Sequence, residues 1–338
     1  METAFVTGGT GFVGANLVRL LIEKGLHVKA LARKGSNRKN LDGLPVEIVE
    51  GGLLDKEALR QGCSGARYVF HVAADYRIWV TDPKEMYAAN VDGTINVVRA
   101  AGEAGCARIV VCSSVAAIMP PHRKVPVNES STYACVDDIV SDYKKSKFLS
   151  EQAALDLARA GLPVVVVNPA APIGAYDIKP TPTGRIVVDF MNGRMPSYID
   201  TGMNIVHARD VAMGHYLAAL KGRVGQRYIL GGENLTLKQV LDTLADVTGL
   251  PGPSFKTPYA VAYAFGALDT ARARVFGGEP MAPLDAVRMA KHYMWFDSSK
   301  AQKELGYTFL PARKALADAA AWFTLNGYIK KPTAAATA

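Results

Sequence analysis

Apolar residues along this chain recur at two spacings that take turns. Short apolar runs suited to buried strands alternate with longer stretches in which apolar positions fall every three or four residues, as on one face of a helix. The first run, Ala4-Phe5-Val6, passes into glycines at Gly8, Gly11 and Gly14. Leu17, Val18, Leu21 and Ile22 then mark a helix that stops at Gly25. The same reading predicts strands at 27–32, 46–49, 68–73, 109–112 and 164–167, with helices at 55–62, 86–104 and 142–160. Such alternation builds an α/β fold, a doubly wound parallel sheet with helices on both faces. Ligands of these sheets bind beyond the carboxyl ends of the strands, where Gly8, Arg33, Ala73, Ser114 and Asn168 fall.

The second half changes character. Residues 168–205 are rich in Pro and Gly, and their interleaved apolar side chains argue for an ordered wall of long loops. Segments 204–220 and 226–230 read as a helix and a strand returning to the sheet, and from Thr236 the pattern is mainly helical to Leu325. The expected organisation is therefore a nucleotide-binding domain over 1–167, rejoined by 204–230, and a smaller, mainly helical substrate domain from 168–203 and 231–328. A low-complexity tail at 329–338 is expected to be disordered. Segment 258–268 is the longest apolar stretch. It is too short for the ~18–20 residues of a membrane span and reads as a buried or interfacial helix.

Composition narrows the class. The 338 residues are 49% apolar and 21% charged, as in ordinary soluble globular proteins. The net charge is +8, yet no dense basic run occurs beyond Arg33-Lys34 and Arg38-Lys39. The charge points to a local patch for an anionic ligand and away from nucleic acid. Cys63, Cys106, Cys112 and Cys135 lack metal-ligand spacing and read as free thiols of a reducing compartment. No metal site is expected. A strand and glycine loop at the very start leave no room for a signal peptide, so the expected location is cytoplasmic, with a membrane-peripheral placement left open.

Candidate chemistry begins at the glycine loop. A strand, glycines at these spacings and a helix form a dinucleotide cradle: Gly8 for the turn, Gly11 for close approach of backbone to pyrophosphate, Gly14 for helix–strand packing. The helix N-terminus offers free N–H groups to the phosphates. Farther on, Tyr143 and Lys147 stand at i and i+4, on one face of a helix. A free tyrosine titrates near pH 10, and a neighbouring ammonium would stabilise its phenolate and lower that value. Ser113 and Ser114 end the preceding strand, where a hydroxyl could hold a substrate oxygen against Tyr143.

With these residues in order, the chain resembles an extended short-chain dehydrogenase/reductase of the NAD-dependent epimerase/dehydratase family. It carries the family's Thr-Gly-x-x-Gly-x-x-Gly at Thr7–Gly14, its Tyr-x-x-x-Lys at Tyr143 and Lys147, and its Asn-Val-x-Gly-Thr from Asn90 to Thr94. Asn168-Pro169, the segment from Val206 to Ala212 and that from Asp297 to Gly306 resemble later landmarks. The resemblance implies a Rossmann-type sheet, with Ser114, Tyr143 and Lys147 as the catalytic residues. It implies cofactor contacts at Gly8, Thr10, Gly11, Phe12, Val13, Gly14, Arg33, Asn37, Arg38, Leu53, Ala73, Ala74, Asn90, Tyr143, Lys147, Pro169 and Ile173. Gly52 stands where the family often has an acid near the adenine. Trp79, Asn168, Tyr198 and His292 are candidate substrate contacts, with Tyr76 and Tyr293 as further pocket aromatics. His71 reads as a packed, hydrogen-bonded residue and His207 as a loop anchor.

Two branches of the family compete. His71-Val72-Ala73-Ala74 and Arg33 resemble the dihydroflavonol- and aldehyde-reductase branch, whereas segments 168–174, 179–184 and 189–195 resemble proteins named hopanoid-associated sugar epimerase. Arg33 lies 19 residues beyond Gly14, where NAD sites place an acid and NADP sites an arginine. No acid occurs between Lys24 and Asp42, so NADP(H) is favoured over NAD(H), with Arg38 and Lys39 in reach of the same phosphate. The expected activity is NADP(H)-dependent hydride transfer to or from a carbonyl or secondary alcohol. The alternative is a nucleotide-sugar 4-epimerase, favoured by the basic Lys179, Arg185 and Arg194. A non-catalytic redox sensor would ordinarily lose the Tyr or the Lys. Expected partners are a small carbonyl, sugar-nucleotide or lipid-linked substrate and, by resemblance, a second copy in a homodimer.

Overall fold

The computed structural model describes residues 1–121 and 124–330. Strand β1 (Thr3–Thr7) leads into α1 (Phe12–Glu23), β2 (His27–Ala32), β3 (Val46–Glu50), α2 (Lys56–Cys63) and β4 (Tyr68–His71). The short α3 (Lys84–Tyr87) continues through a π-helical turn at Ala88–Asp92 into α4 (Gly93–Glu103). Then come β5 (Arg108–Cys112), α5 (Asp142–Arg159) and β6 (Val164–Pro169). The second half runs β7 (Ala171–Ile173), α6 (Pro182–Met191), β8 (Ser197–Tyr198), β9 (Gly202–His207), α7 (Ala208–Lys221), β10 (Arg227–Leu230) and β11 (Glu233–Thr236). It ends with α8 (Leu237–Thr248), β12 (Phe255–Lys256), α9 (Tyr259–Phe276), α10 (Leu284–Met289), β13 (Tyr293–Met294), α11 (Ser299–Leu305) and α12 (Ala312–Leu325).

Seven parallel strands form the main sheet in the order β3-β2-β1-β4-β5-β6-β10. Strand periodicity sends neighbouring residues to opposite faces. In β1, Ala4 and Val6 join the core under α1 and α7, while Phe5 joins the core under α2, α4 and α5. The valines of β6 divide the same way, Val165 and Val167 to one face, Val164 and Val166 to the other. A third core, built from α6, α8, α12 and the small sheet β11-β9-β13 with β7, lies beyond the carboxyl end.

Three expectations need correction. Residues 204–207 are not helical: they belong to β9, which pairs with β11, β7 and β13, and the helix starts only at Ala208. The Pro/Gly-rich wall contains a genuine helix, α6, because Thr181 caps it (its Oγ1 accepts from Gly184 N at 3.2 Å) and Pro182 occupies the first turn. Residues 329 and 330, expected in the disordered tail, are instead ordered: Ile329 packs on the third core and Lys330 N donates to Asn192 Oδ1 at 2.8 Å. Residues 331–338 lie outside the described ones.

Gly14 tests how tightly the fold seats α1. A Cβ there would overlap the carbonyl of Gly8, and overpacking of this kind costs about 1–3 kcal/mol. Gly14→Ala is expected to lower the thermal midpoint measured by circular dichroism; an unchanged midpoint would show that α1 has room to shift.

Candidate active site

The order of the main sheet reverses between β1 and β4, and the loops after those strands meet at its carboxyl end. Gly8 has φ +74°, and a Cβ on it would stand 2.5 Å from Ala73 N. Only glycine permits both the left-handed turn and the main-chain contact. Gly11 is the exposed N-cap of α1; no side chain caps it and no acid sits in the first turn. These open N–H groups suit a pyrophosphate, so the cradle fits the dinucleotide that the loop implies. Asn16 Nδ2 donates to Phe12 O at 3.0 Å and to Ala175 O at 3.1 Å, and Asn40 Nδ2 donates to Thr10 O at 3.1 Å and to Tyr176 O at 3.0 Å. The side chains of Phe12 and Gly14's surroundings are buried, so contacts there would be made by main chain, while Thr10 and Val13 are half-buried at the rim.

Strand β5 ends at Cys112 and delivers Ser113 and Ser114. Ser113 Oγ is buried without a partner among the described residues, whereas Ser114 Oγ accepts from Ala116 N at 3.1 Å and lies near enough to the Tyr143 side chain to favour its charged form. Tyr143 is in the first turn of α5, whose N-cap Ser141 accepts from Lys144 N. Lys147, one turn on, is buried and donates from Nζ to Cys112 O at 2.9 Å. Burial pushes the Tyr143 phenol above its usual range, and the nearby Ser114 hydroxyl only partly offsets this. The net direction is opposite to the expected lowering by Lys147. The ammonium is turned to a carbonyl, and burial pulls its own pKa down.

Beneath this row lies a layer of committed polar groups. Asn90 falls in the π-helical turn and is buried. Its Oδ1 accepts from Asp75 N at 2.7 Å, and its Nδ2 donates to Asp75 O and Ser146 Oγ, each at 2.9 Å. These bonds make Asn90 part of the scaffold that shapes the loop after β4. His71 is 2% exposed and bridges Thr7 Oγ1 (2.8 Å) and Thr94 Oγ1 (2.9 Å). Burial, then Lys147, lowers its pKa to about 3, so it works as a neutral brace.

Asn168 was expected on the substrate wall; it is fully buried instead. Its Nδ2 donates to Glu151 Oε2 at 2.6 Å and to Ser114 O at 2.9 Å. Glu151, also fully buried, meets Arg227 Nη1 through Oε1 at 2.6 Å, and Arg227 in turn donates from Nε to Glu129 O at 3.0 Å. The main chain at Ser114 is held by a charge pair that sequence reasoning missed. The available signal was Glu151, four residues beyond Lys147 on the same face of α5.

Arg33 leaves the end of β2 exposed, and its guanidinium has no protein partner among the described residues. Arg38 differs: its Nη2 bonds Glu50 Oε2 at 3.0 Å. The β2–β3 register pairs Ala32 with Glu50, bringing in an acid that the sequence search around Arg33 could not see. Asn37 Oδ1 is taken by Lys39 N at 2.9 Å. Leu53 packs on Gly93, Ala73 and Ala74 are half-buried in the loop after β4, and Pro169 ends β6. The Ile173 side chain is turned into the third core, 1% exposed.

Trp79 lies under the Arg274 guanidinium, 5.6 Å from the ring centroid. Tyr198 packs on the third core, and the His292 carbonyl accepts from Thr201 Oγ1 at 3.2 Å. Tyr293 stacks edge-on with Trp295, and His207 anchors α12 through Asp318 at 3.1 Å. A second missed acid is Asp177. Buried and bonded to Thr181 N and Oγ1, it has its pKa raised to about 6 by burial.

Comparison with known proteins extends the geometry. A model of the NAD dependent epimerase/dehydratase family matches residues 4–231. A Synechocystis protein named "Putative dihydroflavonol 4-reductase" is 44% identical over 330 residues, 96% of this chain and 96% of that protein. Sterol demethylase protein B of Methylococcus capsulatus is 36% identical, over 97% of this chain and all of its own. The crystal structure of gox2253 matches with a TM-score of 0.87 at 44% identity, covering 98% of this chain and 100% of that one.

The state of His71 is directly measurable. A histidine whose folded pKa is depressed contributes stability that is complete above its unfolded value near 6.5 and is lost as pH falls toward about 3. NMR of the imidazole is expected to report the neutral ring from pH 7 down to 4; titration near 6.5 would contradict the buried brace.

Proposed function

The chain belongs to the NAD-dependent epimerase/dehydratase family, and from that premise we propose an NADP(H)-dependent oxidoreductase that reduces a carbonyl or oxidises a secondary alcohol. The observation that carries this reading is the gathering of Ser114, Tyr143 and Lys147 at the carboxyl end of the sheet, with Lys147 Nζ on the Cys112 carbonyl one turn beyond Tyr143 on α5 and Ser114 near enough to favour the charged form of the Tyr143 phenol. A bound nicotinamide supplies the hydride chemistry. The protein's part is to orient one oxygen and move one proton. Ser114 holds the substrate oxygen, and the Tyr143 hydroxyl gives it a proton on reduction or accepts one on oxidation. The raised pKa keeps Tyr143 protonated near neutrality, the form a proton donor needs. Lys147 serves the ribose hydroxyls from the same helix face.

The unpartnered Arg33 supports a 2′-phosphate and hence NADP(H) over NAD(H), since a guanidinium pairs with phosphate oxygens in bidentate fashion. Arg38 contributes less, being matched by Glu50. The reductase and sterol names of the relatives favour a carbonyl on an apolar, lipid-linked skeleton, of which a hopanoid-linked substrate is the narrowest form. Packing of α4 on α5 leaves these helices as the candidate face for a homodimer. A nucleotide-sugar epimerase is the second reading, favoured by the exposed Arg185 in the wall; Arg194, paired with Asp189 at 3.0 Å, supports it less. Mass spectrometry of nucleotide released from the purified protein separates the two. Tightly retained NAD without net carbonyl turnover would select the epimerase.

Two substitutions test the assignment. Tyr143→Phe is expected to cut the rate of NADPH oxidation with carbonyl substrates by about 10²–10⁴-fold while cofactor affinity is kept. Near-normal turnover would remove Tyr143 from the chemistry. Arg33→Ala is expected to weaken NADPH by about tenfold or more, the worth of a charge-assisted bond, and to leave NADH unaffected in fluorescence titration. Equal losses for both cofactors would refute the 2′-phosphate role.

A further inference from the structure

Two buried asparagines tie the glycine loop to the substrate wall. Asn40 is 3% and Asn16 9% exposed. A side-chain amide has two N–H groups to donate, and each asparagine divides them the same way. Asn40 gives one to Thr10 O in the glycine loop and one to Tyr176 O; Asn16 gives one to Phe12 O in the first turn of α1 and one to Ala175 O. All four acceptors are main-chain carbonyls. An aspartate would face them with acceptors of its own, and a serine has a single hydrogen to give.

The segment they hold, residues 174–181 between β7 and α6, has a shape that its own sequence disfavours. Tyr176 has φ +74°, one of two positive values outside glycine among the described residues. A side chain persists in that region only where its surroundings hold it. Arg19 of α1 lies over the Tyr176 ring, 3.7 Å from its centroid, and its Nη1 donates to Ala15 O at 3.1 Å. On the side of the third core, Tyr328 Oη donates to Ile178 O at 2.5 Å, and Asp177 accepts from Thr181, the residue that caps α6. Asp177 and Lys179 also lie close enough to Tyr76 and Asp75, in the loop after β4, to act on their ionisation. The segment is a strut beside the crevice, bonded to the cradle at one end and continuous with α6 at the other.

A phosphate settling at the start of α1 would immobilise the peptide units whose carbonyls the asparagines hold. The N–H half of the Phe12 peptide belongs to Val13, one of the donors that a helix start leaves open. Fixing that N–H fixes the Phe12 carbonyl, and Asn16 carries the restraint to Ala175; Asn40 carries that of Thr10 to Tyr176. Coupling of this kind is reciprocal, so a steadied strut also presents a better cradle. We propose that Asn16 and Asn40 are positioning residues through which an occupied dinucleotide cradle steadies segment 174–181 and, with it, the start of α6 on the substrate wall. This rests on the dinucleotide reading of the cradle, not on a preference for NADP(H) or on the reduction of a carbonyl.

The test is hydrogen exchange of the full chain, read by mass spectrometry with and without saturating NADPH. In the wild type NADPH is expected to slow exchange at 8–14 and also, by about fivefold or more, at 174–184. In Asn40→Ala the slowing at 174–184 is expected to shrink to less than about half while that at 8–14 persists, and unchanged exchange in β4 and β5 would certify the fold. Should that variant fail to fold, Asn16→Ala, which cuts the other tie, carries the same expectation. Slowing at 8–14 with none at 174–184 in the wild type would overturn the proposal alone, as would slowing at 174–184 undiminished in both variants. No slowing at either segment with NADPH or NADH would overturn the dinucleotide reading and the proposal with it.

Discussion

The chemistry of this molecule depends on one place where main chain meets main chain, the contact of the loop after β1 with the loop after β4. A parallel sheet whose order reverses at β1 opens a crevice there. The absence of a side chain at Gly8 lets the Ala73 backbone come close, and the absence of one at Gly14 lets α1 begin directly beneath. With those atoms removed, the helix N-terminus faces the crevice. A side chain at either glycine would separate the strand, the helix and the second loop, and the row of Ser114 and Tyr143 beyond would lose its reference.

The site is held from below by groups that never reach its surface. Asn90 spends its amide on Asp75 and Ser146; His71 joins β1, β4 and α4. Glu151 and Arg227 form a buried pair whose carboxylate also fixes Asn168 against the Ser114 main chain. Such a pair adds little net stability compared with apolar packing, but removing one partner leaves a buried charge and costs about 3–5 kcal/mol. Its value lies in geometry: it ties β10, α5, β6 and the end of β5 together at one point.

Electrostatics at the two ends of the cofactor cleft run in opposite senses. At the end of β5, burial raises the Tyr143 pKa and lowers that of Lys147, so the phenol stays protonated near neutrality. At the end of β2 an exposed Arg33, without a partner among the described residues, stands beside an Arg38 that Glu50 already engages. The proposed phosphate contact falls to this solvated cation, while Glu50 tempers the patch around Arg38.

The sequence by itself determined the α/β class, the glycine cradle and the helical pairing of Tyr143 with Lys147. Those features rest on strand and helix periods, turn chemistry and i, i+4 spacing, all of which act over a few residues. Even the capped helix α6 was written locally in Thr181-Pro182, behind a Pro/Gly count that suggested loops. Tertiary structure alone decided that Glu50 meets Arg38, that Arg227 finds Glu151 across 76 residues, and that Asn168 and Ile173 turn inward. It also decided that the apolar face of α9 points out. Which side chains meet depends on strand order and register, and which face of a helix is buried depends on what packs against it. Neither is encoded in the spacing of residues along one element.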